Sequence, residues 1–142
     1  ISADKNTVVD EGLMSILSVI FNAGVATATW YIGIFGGNYT PLSTDTGALI
    51  AVNATESAAY TEAVRQTWVV AAPAANQITN SASKATFTIN ATTTIYGAFL
   101  ISTSAISDTL GSLMAASKFA ASRAVVNLDQ LLITYTISAA NV

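Results

Sequence analysis

Few side chains in this chain could carry chemistry. It has five Lys or Arg and eight Asp or Glu among 142 residues, with no His and no Cys. The local carboxylate pairs are Asp10 with Glu11 and Glu56 with Glu62. Two carboxylates can hydrolyse a glycosidic bond when they face each other across a sugar. The aromatic candidates for a sugar platform are Trp30, Tyr31, Tyr39 and Trp68, and no spacing sets them against the acids. The carboxylates read better as helix-end charges and solvated strand faces. A serine nucleophile without His must take its base from Lys. Ser83-Lys84 and Ser117-Lys118 are sequence neighbours, and neighbours on a strand point to opposite faces. Asp45, between Thr44 and Thr46, could offer oxygen to calcium, but its loop lacks the acidic density of calcium loops. Gly36-Gly37 lacks the Lys-Ser or Lys-Thr that completes a phosphate cradle. Without Cys, neither a disulfide nor a thiolate metal site can form. The expectation is a protein that is not an enzyme, with no catalytic, cofactor-binding or metal-binding residues and no cofactor.

The remaining charges suggest architecture. Glu62 and Arg65 fall on opposite faces if their segment is a strand, so each must find a partner elsewhere. Asp129 or Glu56 is the candidate for Arg65, and such a pair would set register. The net charge is -3 and the basic residues Lys5, Arg65, Lys84, Lys118 and Arg123 are scattered. That disfavours nucleic acid as a partner. Residues 12–44 carry no charge, a stretch long enough to span a bilayer. Asn22, Gly24, Gly33, Gly36, Gly37 and Asn38 interrupt it and its period changes, so no membrane span is expected. Asn38, Asn53 and Asn90 each open a glycosylation sequon, a match that arises readily in a Thr-rich chain.

These residues must be held by elements that the apolar period reveals. Leu13, Ile16, Leu17, Ile20 and Phe21 recur at helical spacing, which predicts an amphipathic helix over 10–22. Asp10 would cap it and Glu11 would favour its positive end. One apolar face implies docking, on the domain's own sheet or, as the alternative, on a neighbouring subunit. The period then drops to two. Strands are expected over 27–35, 60–70, 77–81, 85–90 and 94–102, with Gly97 marking a bulge or a close backbone approach. Residues 36–58 read as a long excursion with a helical turn near 46–52. Residues 113–119 fit strand better than helix, 118–126 continue as strand, and 127–129 form a turn. Residues 131–138 are the strongest strand signal. The fold class is mainly β, a β-sandwich or small β-barrel with one N-terminal amphipathic helix. Residues 1–9 read as an N-terminal arm that reaches a neighbour, and 10–142 as a single β-rich domain.

Several blocks carry a family resemblance. They are Trp30-Tyr31-Ile32-Gly33-Ile34-Phe35 with Asn38-Tyr39-Thr40-Pro41, and Tyr60-Thr61-Glu62-Ala63-Val64-Arg65-Gln66-Thr67-Trp68. Ile78 to Phe87, Ile95-Tyr96-Gly97-Ala98-Phe99-Leu100, Ala121 to Val126 and Leu131 to Thr136 complete them. Spread over residues 10–138, this pattern resembles small virion structural proteins of tailed bacteriophages. The resemblance implies a capsid decoration, or cement, protein on the capsid surface of a virion assembled in the host cytoplasm. Its implied partners are the major capsid protein and copies of itself, often as a trimer, with no nucleic acid and no membrane. It implies no active-site residues. The alternatives are a tail, neck or fibre component of the virion, and a carbohydrate-binding β-sandwich using Trp30, Tyr39 or Trp68. Low charge and abundant Ser and Thr suit broad contacts, in which many weak interfaces sum to avidity.

Overall fold

The computed structural model describes residues 5–140. Its centre is an antiparallel sheet of five strands: β1 (Thr7–Val8), β2 (Tyr31–Phe35), β3 (Gln66–Thr67), β6 (Thr93–Ile101) and β7 (Leu113–Val125). Their order is β1-β7-β6-β2-β3. Helix α1 (Asp10–Phe21) leads from β1 to β2, and α2 (Gly47–Asn53) lies between β2 and β3. Two ribbons complete the fold: β4 (Gln77–Thr79) with β9 (Thr136–Ser138), and β5 (Ala85–Thr88) with β8 (Gln130–Ile133). The protein is mainly β and sandwich-like. The five-stranded sheet ends at β1 and β3 without closing, so the barrel alternative falls.

Both faces of the central sheet are covered. On one face Ile32, Ile34, Ala98, Leu100 and Ala115 pack with Phe87 and Ile89 from the β5 segment, with Ile133, and with Tyr60. Tyr60 meets Phe87 edge-on, with ring centroids 4.9 Å apart. On the other face Phe35, Phe99, Ile101, Leu113 and Ala116 pack with Val9 and with Ile50 and Ala54 of the α2 region. Alternation along β2 explains its two-sided apolarity, since successive residues face opposite ways.

Register shifts decide which residues share a face. Strict alternation groups Ile95 with Phe99 and Ile101. The β6–β7 register slips between Ile95 and Gly97, and the slip moves Ile95 to the cluster of Ala98 and Leu100, with Tyr96 against the other. A bulge inserts one unpaired residue and so reverses the parity of the residues beyond it. Gly97 marks both a bulge and a close approach. A Cβ there would overlap the Phe35 ring and the Ser117 carbonyl oxygen.

Several segments differ from the expected strands. The helix expected near 46–52 is α2, and residues 113–125 form one continuous strand. Of 27–35, only Tyr31–Phe35 is strand. Of 60–70, only Gln66–Thr67 is, and residues 61–64 bend. There the Glu62 carboxylate accepts the Thr88 amide at 3.2 and 3.1 Å, so a side chain replaces a backbone ladder. The long C-terminal strand divides into β8 and β9, which pair with different partners. At the break the Asn80 side chain donates to the Ile133 carbonyl at 3.1 Å and accepts the Tyr135 amide at 2.7 Å. This buried amide supplies the donor and acceptor that a neighbouring strand would otherwise provide.

The N-terminal arm is also revised. Residues 1–4 lie outside the described residues. Thr7 and Val8 pair with Ala116 and Ala115 of the same chain, and Val9 is fully buried. The described part of the arm from residue 7 onward is therefore built into its own domain.

The turn between β7 and β8 passes through Leu128, which has φ 75° and an exposed side chain. A left-handed conformation costs an L-residue with a bulky side chain about 1–2 kcal/mol, while glycine adopts it freely. Leu128→Gly should therefore stabilise the fold by about 0.5–1 kcal/mol, after the greater freedom of glycine in the unfolded chain is subtracted. Chemical denaturation checks this, and a lower midpoint for the variant would contradict it.

Candidate interaction surface

The polar residues that could have done chemistry are committed to architecture. Glu11 does not sit beside Asp10 as an acid pair. Its carboxylate accepts the amides of Gly47 and Leu113, each at 2.7 Å, and so ties α1 to the start of α2 and to the start of β7. Asp10 lies in the first helical turn and is not the cap, because Val9 holds that position without a side-chain bond. Asp45 is buried. Its carboxylate accepts the Tyr39 hydroxyl at 2.8 Å and the Leu42 amide at 2.8 Å, which closes the loop before α2. Burial and that Asp45 contact raise the Tyr39 hydroxyl above the usual tyrosine range. Ser117 donates to the Lys5 carbonyl at 3.2 Å, and Lys118 is the next residue on the same strand. Among the described residues no cluster of three His, Cys, Asp or Glu could hold a metal ion.

Arg65 and Glu56 form a buried bidentate ion pair, with Nε to Oε1 at 2.7 Å and Nη2 to Oε2 at 2.8 Å. Both side chains are sealed from solvent, 0% and 1% exposed. Glu56 is thus the partner of Arg65, and Asp129 instead accepts the Val126 amide in the β7–β8 turn at 2.9 Å. Nη1 donates to the Thr103 carbonyl and hydroxyl, each at 3.1 Å, and Nη2 also donates to the Asp108 carbonyl at 3.5 Å. The Ser107 amide donates to Glu56 at 2.7 Å, and the guanidinium carbon lies 5.3 Å from the centre of the Phe99 ring. A single pair thus joins the segment after α2, the approach to β3 and the β6–β7 loop.

Of the aromatics named for a sugar platform, Trp30 and Trp68 are neighbours, with the Trp68 amide donating to the Trp30 carbonyl at 2.8 Å. Trp68 donates its indole N–H to the Tyr135 carbonyl at 3.0 Å. Trp30 and Trp68 are both half-buried against the core, and Tyr39 is held by Asp45.

The largest unexplained feature is α1. On a helix, 100° per residue places Leu13, Met14, Leu17, Ile20 and Phe21 within an arc of about 120°, with Leu17 near its middle. That arc faces away from the domain. Met14, Ile20 and Phe21 are 66%, 63% and 80% exposed, and Leu13 and Leu17 about half. The side turned to the sheet carries Glu11, Gly12 and Ser15 together with Ile16 and Val19. Gly12 is the one buried residue of the helix, and a Cβ on it would collide with the Met114 carbonyl oxygen. The expected docking of the apolar face on its own sheet is overturned, because close approach to β7 requires Gly12 and not a large side chain at the contact. Ile16 alone of the predicted face packs partly against the core. The exposed run continues past the helix to Val25, which is 95% exposed.

Beside α1 lies a shallow groove of ≈ 550 Å³, lined by Val8, Leu13, Ile16, Ile78 and Ile137 among others. Sequence reasoning missed Met14 and the direction of the face. Its available signal was Gly12 with Ser15 on the opposite arc, a small-residue stripe that marks the side of close packing. Among the described residues no helix is long and apolar enough to cross a membrane. Comparisons with protein-family models and with curated proteins give no match.

Proposed function

We propose that the chain is a structural subunit of a phage particle, a capsid decoration protein that stabilises the shell through contacts with the major capsid protein and with copies of itself. It acts by fitting against other subunits and not by turning over a substrate. The observation that carries this reading is the outward apolar face of α1. Exposed apolar patches larger than a few hundred Å² mark interaction sites, and this one sits on a helix anchored through its first turn. The carboxylates of Glu11, Asp45, Glu56 and Glu62 support the reading too. Each is bonded to backbone amides or to Arg65, which leaves them in structural roles.

The test compares particles with and without the protein. Heating should release DNA earlier from particles that lack it, and adding purified protein back should restore the original temperature. Equal release temperatures would sink the role in the shell. A particle reconstruction gives the site: density at icosahedral positions supports decoration, and an axial ring makes it a tail or neck component instead.

A further inference from the structure

We propose that α1 is a two-fold interface between copies of this chain, in which two α1 helices pack antiparallel about an axis through Leu17. The inference deepens the proposed structural role by naming the partner that covers the exposed face. Three observations select a second copy as occupant. The first is exposure. Leu13, Met14, Leu17, Ile20 and Phe21 are between 47% and 80% exposed on one arc, a contiguous patch of large apolar side chains of the kind that marks an interaction site. The second is charge. Residues 12–44 contain no charged side chain and residues 6–64 no Lys or Arg. A membrane-surface helix carries basic residues on its polar side, and a charged partner would need a complement, so neither fits. Interfaces between identical chains are the more apolar class.

The third observation is the geometry of the arc itself. Leu17 lies at the middle of the exposed residues, with Leu13 and Met14 one turn before it and Ile20 and Phe21 one turn after. An isologous contact sets residue i against residue j and j against i. An antiparallel pair centred on Leu17 therefore places Leu13 opposite Phe21 and Met14 opposite Ile20, so every exposed apolar side chain of the helix face meets another. It also separates the two exposed Asp10 carboxylates and opposes the two helix dipoles, whereas a parallel pair would bring like charges together.

The absence of cysteine makes the test direct. Leu17→Cys puts a thiol at the proposed axis, and Leu132→Cys puts one at a similarly exposed position on β8. Under mild oxidation L17C should cross-link nearly completely, and L132C at least tenfold less. Light scattering on the wild-type chain should give a dimer. The double variant Leu17→Asp, Ile20→Asp should be a folded monomer whose melting temperature no longer depends on protein concentration, because neither side chain is buried within its own chain. A monomeric wild type at about 100 μM, a dimer that survives both aspartates, a trimer, or equal cross-linking of the two cysteines would each overturn the inference. The outcomes are separable from the proposed function. A monomer that still protects particles removes this interface and leaves the decoration role, and a dimer that leaves particle stability unchanged does the reverse.

Discussion

Glu56→Gln should cost about 3–5 kcal/mol of folding stability, the usual loss when one partner of a buried ion pair is removed. The reason is what remains. Arg65 is completely buried and a guanidinium has no neutral form to retreat to in a protein, so the variant leaves a cation with a neutral amide in place of its carboxylate. The Ser107 amide also loses its ionic acceptor, and Ser107 sits at φ 61°, a conformation held by such contacts. Urea denaturation of both proteins measures the difference. A loss under about 1 kcal/mol would mean the pair is solvated and contributes as little as a surface bridge. The companion variant, Glu56→Leu with Arg65→Met, should recover much of the loss, because replacing both charges removes the unpaired ion. The single substitution is therefore worse than the double, an ordering that simple loss of packing does not produce.

Gly97→Ala should be the second large effect, about 3 kcal/mol at the upper end of overpacking costs. In the β2–β6 ladder Gly97 is paired with Phe35 and Gly33 with Phe99, and each ring lies over the glycine across from it. A methyl on Gly97 meets both the Phe35 ring and the backbone oxygen of Ser117. The ring could turn, but the oxygen belongs to β7 and moves only with the sheet. Gly36→Ala is the matched control, since its new Cβ would have one neighbour, the Thr94 carbonyl oxygen at an ordinary 3.5 Å. Denaturation midpoints should fall sharply for the first variant and by much less for the second. Equal shifts would assign the cost to glycine's backbone freedom and not to space.

Much of the fold was legible because its signals are local. The helical spacing of Leu13, Ile16, Leu17 and Ile20 needs only the chain's own period, and α1 forms where that period runs. Strand alternation likewise marked the β2, β5 and β6 regions. Gly97 was legible as a departure inside a strand, though its effect on parity was not, because the slip depends on how β7 lies alongside. The 60–70 segment failed for another reason. Its alternation is genuine, yet Arg65 turns inward to Glu56 and Glu62 to Thr88, and these side-chain bonds replace the ladder that alternation predicts. Residues 131–138 failed at Tyr135, where Asn80 takes the place of a strand.

The amino-acid order by itself determined the mainly β class, the extent of α1, the want of charge along residues 12–44 and the need of Arg65 for a distant carboxylate. These properties arise from composition and from spacings of two to four residues, within reach of local sterics. Tertiary structure alone decided which carboxylate Arg65 takes, where the last strand divides and which way the apolar face of α1 looks. Glu11 reaches an amide 102 residues along the chain, and Gly12 rests on a strand that far away. Contacts of that range depend on how remote segments meet, and a helical period reports that a face is apolar without reporting what it faces.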